Sequence, residues 1–214
     1  MNDEEEPIIR GNHYPQEGST LITKDQLHLA GWVSIANAIF TVPAIAMSFF
    51  LESMEGPGVR LAQAILIVVG LGLFVYLLSS LRQLLNSRFR FQDADVYISY
   101  LLWGNISLSL FHLLSLLNKE FEWAVGVLSI MAYLFFGILS ILFAIRLLRL
   151  PYSLYGLLKP YCYITIVSGA CIITIVLLPV GILVGAITDV ILGIIFFRAS
   201  EQPPTIDLPQ TPIE

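Results

Sequence analysis

Charged residues are scarce in this chain: Asp, Glu, Lys and Arg make up 13% of its 214 residues, against about 25% in soluble domains. A chain that is 57% hydrophobic cannot cover a folded core with a wetted surface, which excludes a soluble globular domain. The net charge is −5, and the sequence shows no basic patch of the kind that binds nucleic acid. We therefore expect the lipid bilayer as the surrounding medium and no nucleic-acid partner.

Residues that carry catalytic or metal chemistry are few and scattered. The three histidines lie far apart without metal-ligand spacing, and no HExxH, GxSxG or phosphate-loop motif occurs. Cys162 and Cys171 fall on opposite faces of one helix, about 13 Å apart along its axis, so they cannot form a disulfide with each other. We expect no metal, no cofactor and no catalytic residue, and hence a protein that is not an enzyme.

Polar segments flank the apolar part of the chain. Residues 1–24 are acidic and rich in turn-forming residues, and they lack the basic start and cleavage site of a secretory signal. Residues 200–214 contain four prolines. The sequence therefore predicts two disordered tails, the first of them cytoplasmic, and a polytopic transmembrane domain over residues 25–199.

Four apolar segments are each long enough to cross a hydrocarbon core of about 30 Å. Their length differs from that of membrane β-barrel strands, which alternate in polarity over about ten residues. The sequence therefore predicts an all-α integral membrane protein. The four segments are Leu27–Leu51, Leu61–Leu81, Val96–Leu117 and Trp123–Leu148.

A fifth apolar stretch lies between Lys159 and Arg198, and the only charged residue within it is Asp189. The LPVG sequence around Pro179 predicts a tight turn at its centre, because proline removes a backbone donor and glycine relaxes the backbone. Two short helices would result, and the alternative is one spanning helix followed by a re-entrant half. The two helices are predicted at Leu158–Leu178 and Ile182–Phe197.

Basic residues are distributed unevenly between the two predicted sides of the membrane. Six spans place nine basic residues on one side and only Arg60 and Lys119 on the other, whereas five spans give eight against three. Because basic loops face the cytoplasm, six spans with both termini cytoplasmic are favoured, in the cell membrane. The residues predicted at the cytoplasmic interface are Arg82, Arg88, Arg90, Arg146, Arg149, Lys159 and Arg198.

A weak self-similarity recurs at spacings of 68 and then 66 residues, which align Asn37, Asn105 and Cys171. Arg82 and Arg146, at the ends of the second and fourth segments, each precede a tyrosine by 15 residues. This pattern predicts a bundle of six transmembrane helices made of three tandem hairpins, and chance likeness between apolar helices is the alternative. The hairpins are predicted over about residues 27–81, 96–148 and 158–197.

Polar residues inside the predicted spans are the candidate functional residues, because an unpaired polar group in lipid is costly. Asp189 is either a structural carboxyl, protonated or bonded to a neighbouring helix, or an ion or proton site. Asn105, Ser109 and His112 share one face of the third helix, as interhelical contacts or as a conduction path. His112 and Asp189 both belong to the outer half of the membrane and could meet. The partner of Asp189 is expected among His112, Asn105 and Asn37.

Small residues recur at the four-residue spacing that allows helices to pack closely. They are Ala30, Ser34 and Ala38 in the first helix and Gly181 and Gly185 in the sixth. Such faces meet either within one chain or between chains. Other membrane proteins, or a second copy in a homo-oligomer, are therefore the expected protein partners.

These features favour a non-enzymatic scaffold or accessory component that acts through helix and loop contacts. The alternative is a small transporter or channel that uses Asp189 and the stripe of Asn105, Ser109 and His112. An intramembrane enzyme ranks third, because the sequence shows no nucleophile–base or metal constellation. A water-filled cavity at Asp189 would favour transport, whereas a dry bundle with an exposed small-residue face would favour a scaffold.

Overall fold

The computed structural model describes residues 22–54, 56–117, 121–150 and 154–202, and these residues form six α-helices and no β-strand. All helices except α5 are long and apolar enough to cross a membrane, judged by length and composition. α5 has 16 residues and therefore measures about 24 Å. The helices are α1 Lys24–Glu52, α2 Pro57–Phe89, α3 Asp95–Leu117, α4 Glu122–Leu147, α5 Leu158–Ile173 and α6 Leu178–Glu201.

The helical region extends slightly beyond the limits predicted from the sequence. Thr23 caps α1: its hydroxyl accepts from the Gln26 amide at 3.3 Å, and the Gln26 side chain accepts from the Thr23 amide at 3.0 Å. This capping box satisfies two amides at the start of the helix, so α1 begins at Lys24. Ser200 and Glu201, placed in the tail by the sequence, belong to α6. The rest of the predicted tails, residues 1–21 and 203–214, lies outside the described residues.

The turn between α5 and α6 lies earlier than the LPVG sequence predicted. α5 ends at Ile173 and α6 begins at Leu178, so Pro179 lies in the first turn of α6. Proline is well tolerated there, because an amide at this position would have no acceptor within the helix. Ile175 adopts a left-handed backbone conformation, with φ of 54°, and reverses the chain. The predicted position of the turn was therefore wrong, although the two helices on either side of it are present.

The six helices form a closed ring in the order of the chain. Each helix packs against its predecessor and its successor, and α6 closes the ring through an extensive contact with α1. Within the described residues, the backbones of helices that are not neighbours in this ring do not come within 8 Å of each other. α3 and α6 therefore lie opposite each other, as do the α3–α4 and α6–α1 interfaces.

Buried side chains are concentrated at one end of the ring, formed by the starts of α1, α3 and α5 and the ends of α2, α4 and α6. We call it the basic end, because it also holds Arg82, Arg88, Arg146 and Arg198. At the far end large apolar side chains are exposed, including Leu117 at 81% and Val176 at 86%. Side chains with less than 2% exposure at the basic end include Leu27, Leu81, Leu84, Leu85, Ile98, Leu147, Leu154, Ile195 and Phe196.

Candidate functional site

Asp189 lies near the middle of α6 and faces α1. Asn37 Nδ2 donates to Asp189 Oδ2 at 2.8 Å, and Ser34 Oγ donates to the Asp189 backbone carbonyl at 2.7 Å. Of the three partners considered from the sequence, Asn37 is the one that contacts the carboxylate. Asp189 Oδ1 accepts no hydrogen bond from any described residue. The acid is thus held by a neutral amide at a helix interface and retains one free acceptor atom.

Small side chains bring α1 and α6 close enough for this contact. Ala30, Ser34 and Ala38 are all buried, and Ser34 lies directly against α6. On α6, a Cβ added at Gly193 would lie 3.1 Å from the Gly31 carbonyl oxygen. The two backbones therefore approach closely one turn away from Asp189. The small-residue row of α1 is used within the chain, at the seam that closes the ring.

His112 does not meet Asp189. Its Nε2 lies 2.6 Å from Ser129 Oγ on α4, towards the far end of the ring. His112 lies at the α3–α4 interface and Asp189 at the α6–α1 interface, and these two interfaces are on opposite sides of the ring. The sequence predicted both residues in the outer half of the membrane, where they could meet, but the order of the helices around the ring separates them.

The polar stripe on α3 is divided among local hydrogen bonds. Ser109 Oγ donates to Asn105 Oδ1 at 3.4 Å within α3. Ser115 Oγ donates to the His112 backbone carbonyl at 2.7 Å, while the His112 ring contacts α4. Asn105, Ser109 and His112 are half-buried. Of the three, His112 connects α3 to α4, while Asn105 and Ser109 bond to each other within α3.

The Gly181 and Gly185 pair of α6 packs against α5. Ser168 Oγ donates to the Gly181 carbonyl at 2.8 Å and would lie 3.5 Å from a Cβ added at Gly185. A Cβ at Gly181 would lie 3.1 Å from the Cys171 Cβ. This pair therefore serves the α5–α6 hairpin of the same chain.

Sequence reasoning missed a second close approach, between α4 and α5. A Cβ added at Gly137 would lie 2.8 Å from the Gly169 backbone oxygen and 2.6 Å from Ile173 Cγ1. Neither glycine has a second glycine four residues away in its own helix. The spacing rule that identified Gly181 and Gly185 therefore carried no signal here.

Hydrogen bonds of the basic end connect segments distant in the chain. Arg88 Nη1 donates to Tyr155 Oη at 3.1 Å and to the Gln202 carbonyl at 2.9 Å. Arg198 Nη1 donates to the Tyr155 carbonyl at 2.7 Å. The ends of α2 and α6 and the turn before α5 are thus linked through one tyrosine.

The remaining basic residues differ in their surroundings. Arg82 forms an ion pair with Asp95 at 3.2 Å, and Asn86 Nδ2 donates to the same carboxylate at 2.9 Å. Arg146 lies half-buried in a groove beside Gln92. Three others are exposed: Arg90, Arg149 and Lys159.

Across the described residues, no group of three or more His, Cys, Asp or Glu side chains is arranged to hold a metal ion. The chain matches no protein-family model, no curated protein and no solved structure.

Proposed function

We propose that this chain is a six-span protein of the cell membrane that acts as a non-enzymatic scaffold or accessory component. Six spans require α5 to cross the bilayer despite its length of about 24 Å, close to a hydrocarbon core of about 30 Å. The position of α5 in the ring supports this assignment, because it packs between α4 and α6, both of spanning length. Local thinning of the bilayer accommodates such a mismatch at modest cost.

The three-hairpin organisation is part of this proposal and is supported by corresponding contacts. When Arg146 in the last turn of α4 is aligned with Arg198 in the last turn of α6, Gly137 and Asp189 take equivalent positions in the repeat. When the similar segments of α1 and α5 are aligned in the same way, Ile35 and Gly169 take equivalent positions. Gly137 approaches Gly169 at one interface, while Ile35 packs against Gly193, one turn from Asp189, at the other. The α4–α5 and α6–α1 crossings thus fall at matching places in the repeat.

The observation that carries the functional proposal is the pairing of polar side chains at separate interfaces. Asp189 bonds to Asn37 between α6 and α1, and His112 contacts Ser129 between α3 and α4. These two interfaces lie on opposite sides of the ring. Interhelical hydrogen bonds of this kind stabilise packing by about 0.6 to 1.7 kcal/mol each. Because the two polar pairs hold different helices together, they suit a packed helix bundle whose outer faces contact partner proteins.

Transport is the second candidate, and one observation favours it. Asp189 is the sole acid in the central part of the described helices, and its Oδ1 atom carries no hydrogen bond from them. A free acceptor half-way along α6 is a place where a proton or cation would bind.

Reconstitution into liposomes with pH- and ion-sensitive dyes separates the two candidates. We expect the wild-type protein and Asp189→Asn to show the same background leak under proton, sodium and potassium gradients. A flux that Asp189→Asn abolishes and the control Thr165→Ala preserves would replace the scaffold proposal by transport, because the Thr165 hydroxyl donates only to the Tyr161 carbonyl within α5.

Photocrosslinking in cells tests the contact role itself. Ile39 and Trp103 are each 69% exposed, so a photoreactive residue at either position samples the outer surface of the ring. We expect discrete protein adducts, to another membrane protein or to a second copy, from at least one of them. The control position, fully buried Leu84, should give adducts only within the chain. Lipid adducts alone from both exposed positions would contradict a scaffold role.

A further inference from the structure

A groove of about 420 Å³ opens at the basic end, between the α2–α3 connection, the first turn of α3 and the last turn of α4. Its volume falls within the range of about 300–1,000 Å³ that small-ligand sites occupy. One cation, one anion, an amide and a phenol surround it, together with one apolar side chain. The lining residues are Gln92, Asp93, Val96, Tyr97 and Arg146.

Arg146 has no hydrogen bond or ion pair with any described residue, although it is half-buried. Arg82 occupies the corresponding place in the preceding hairpin. It is neutralised by Asp95, which lies two residues before Tyr97. In the hairpin that follows Arg146, the equivalent tyrosine is Tyr161, and the residue two positions before it is Lys159. An acid is therefore replaced by a second cation, and the partly desolvated guanidinium has no ion-pair partner among the described residues.

Asp93 provides a negative charge at the same groove, but it forms no ion pair with Arg146 within 4.0 Å. A cation and an anion separated across one opening complement a molecule that carries both charges. A guanidinium binds phosphate oxygens well, a carboxylate binds an ammonium group, and Gln92 and Tyr97 add hydrogen-bonding groups beside them.

We propose that this groove binds the headgroup of a zwitterionic phospholipid with a primary amine. Arg146 and Tyr97 take the phosphate, and Asp93 and Gln92 take the ammonium group. Val96, 57% exposed at the rim, would adjoin the glycerol and the start of an acyl chain. The depth is suitable, because arginine and tyrosine at helix ends lie at headgroup level. This inference rests on the proposed membrane insertion and is independent of the scaffold role.

Lipid retention by the full chain tests the proposal. The purified protein is placed in nanodiscs of mixed phosphatidylethanolamine, phosphatidylglycerol and phosphatidylcholine, and the lipids that stay bound on release are counted by native mass spectrometry. We expect preferential retention of phosphatidylethanolamine, reduced about tenfold, or about 1.4 kcal/mol, in Arg146→Gln. The matched control Arg149→Gln, an exposed arginine at the same end outside the groove, should retain lipid like the wild type.

Asp93→Asn separates a zwitterion site from a simple anion site. We expect this variant to keep phospholipid but to lose the preference for phosphatidylethanolamine over phosphatidylglycerol. Equal loss in Arg146→Gln and Arg149→Gln, or a wild-type preference for phosphatidylglycerol, would overturn the proposal. Full displacement of lipid by free phosphoethanolamine would overturn the assignment to a lipid rather than a soluble phosphate ester. Failure of the wild type to enter nanodiscs would instead overturn the membrane insertion on which the site depends.

Discussion

Asp189 lies where a charged residue is costly: an aspartate at the centre of a spanning helix carries an insertion penalty of about 2.5–3.5 kcal/mol. Asn37 and Ser34 meet it from α1, which supplies polar partners without a second charge. The sequence identified Asp189 by its position and included Asn37 among three possible partners. It could not choose among them, because spacing along one helix contains no information about which other helix lies beside it.

The coupling between Asn37 and Asp189 is measurable by a double-mutant cycle. Asn37→Leu should destabilise the protein more than Asp189→Leu, because it leaves the acid unpaired among apolar side chains. The double variant should recover part of that loss, giving a coupling free energy of about 0.6–1.7 kcal/mol in unfolding from mixed micelles. Asn37→Leu combined with Ser109→Ala on non-adjacent α3 should be additive. A coupling of the same size in that control would contradict a direct contact.

At the scale of helices, the sequence predicted the approximate positions of the helices better than their lengths or contact faces. α2 covers Pro57–Phe89 rather than Leu61–Leu81, and α6 covers Leu178–Glu201 rather than Ile182–Phe197. Four of the six helices follow from apolar runs alone, and Gly181 and Gly185 were recognised from their spacing. The turn before α6 was predicted at the wrong position because the prediction relied on Pro179, and proline is favoured both in tight turns and in the first turn of a helix. The α4–α5 approach was missed, because it depends on Gly137 of one helix meeting Gly169 of another.

Gly137→Ala tests this approach against a control in the same helix. The added methyl would lie 2.8 Å from a backbone oxygen of α5, which must move, so we expect destabilisation of about 1–3 kcal/mol. Gly126→Ala has nothing within 4 Å of its Cβ and should be neutral or slightly stabilising, as alanine favours helix. Thermal unfolding in detergent compares the two. Equal midpoints would mean that α4 and α5 are not closely packed at Gly137.

At the scale of the whole molecule, ring closure was beyond the reach of the sequence. In lipid the outer face of a helix is as apolar as its packed face, so hydrophobic periodicity does not reveal which face meets a neighbour. The hairpins are local in the chain, whereas the α6–α1 seam joins its two ends. That seam depends on Ser34, Asn37, Asp189 and Gly193. The sequence singled out the first three as separate features, but it did not identify α1 as the neighbour of α6.

The orientation of the ring across the membrane is tested by cysteine labelling. Arg88 donates to the Gln202 carbonyl, so the ends of α2 and α6 lie at the same end of the ring, and the positive-inside rule predicts that this end faces the cytoplasm. With Cys162 and Cys171 replaced by alanine, we expect a membrane-impermeant maleimide to label Met54→Cys in intact cells. Gln202→Cys and the control Arg149→Cys should react only after permeabilisation. Labelling of Gln202→Cys in intact cells, with Arg149→Cys still protected, would place the two ends on opposite sides and support five spans. Labelling of Gln202→Cys and Arg149→Cys in intact cells, with Met54→Cys protected, would support six spans with the opposite orientation in the membrane.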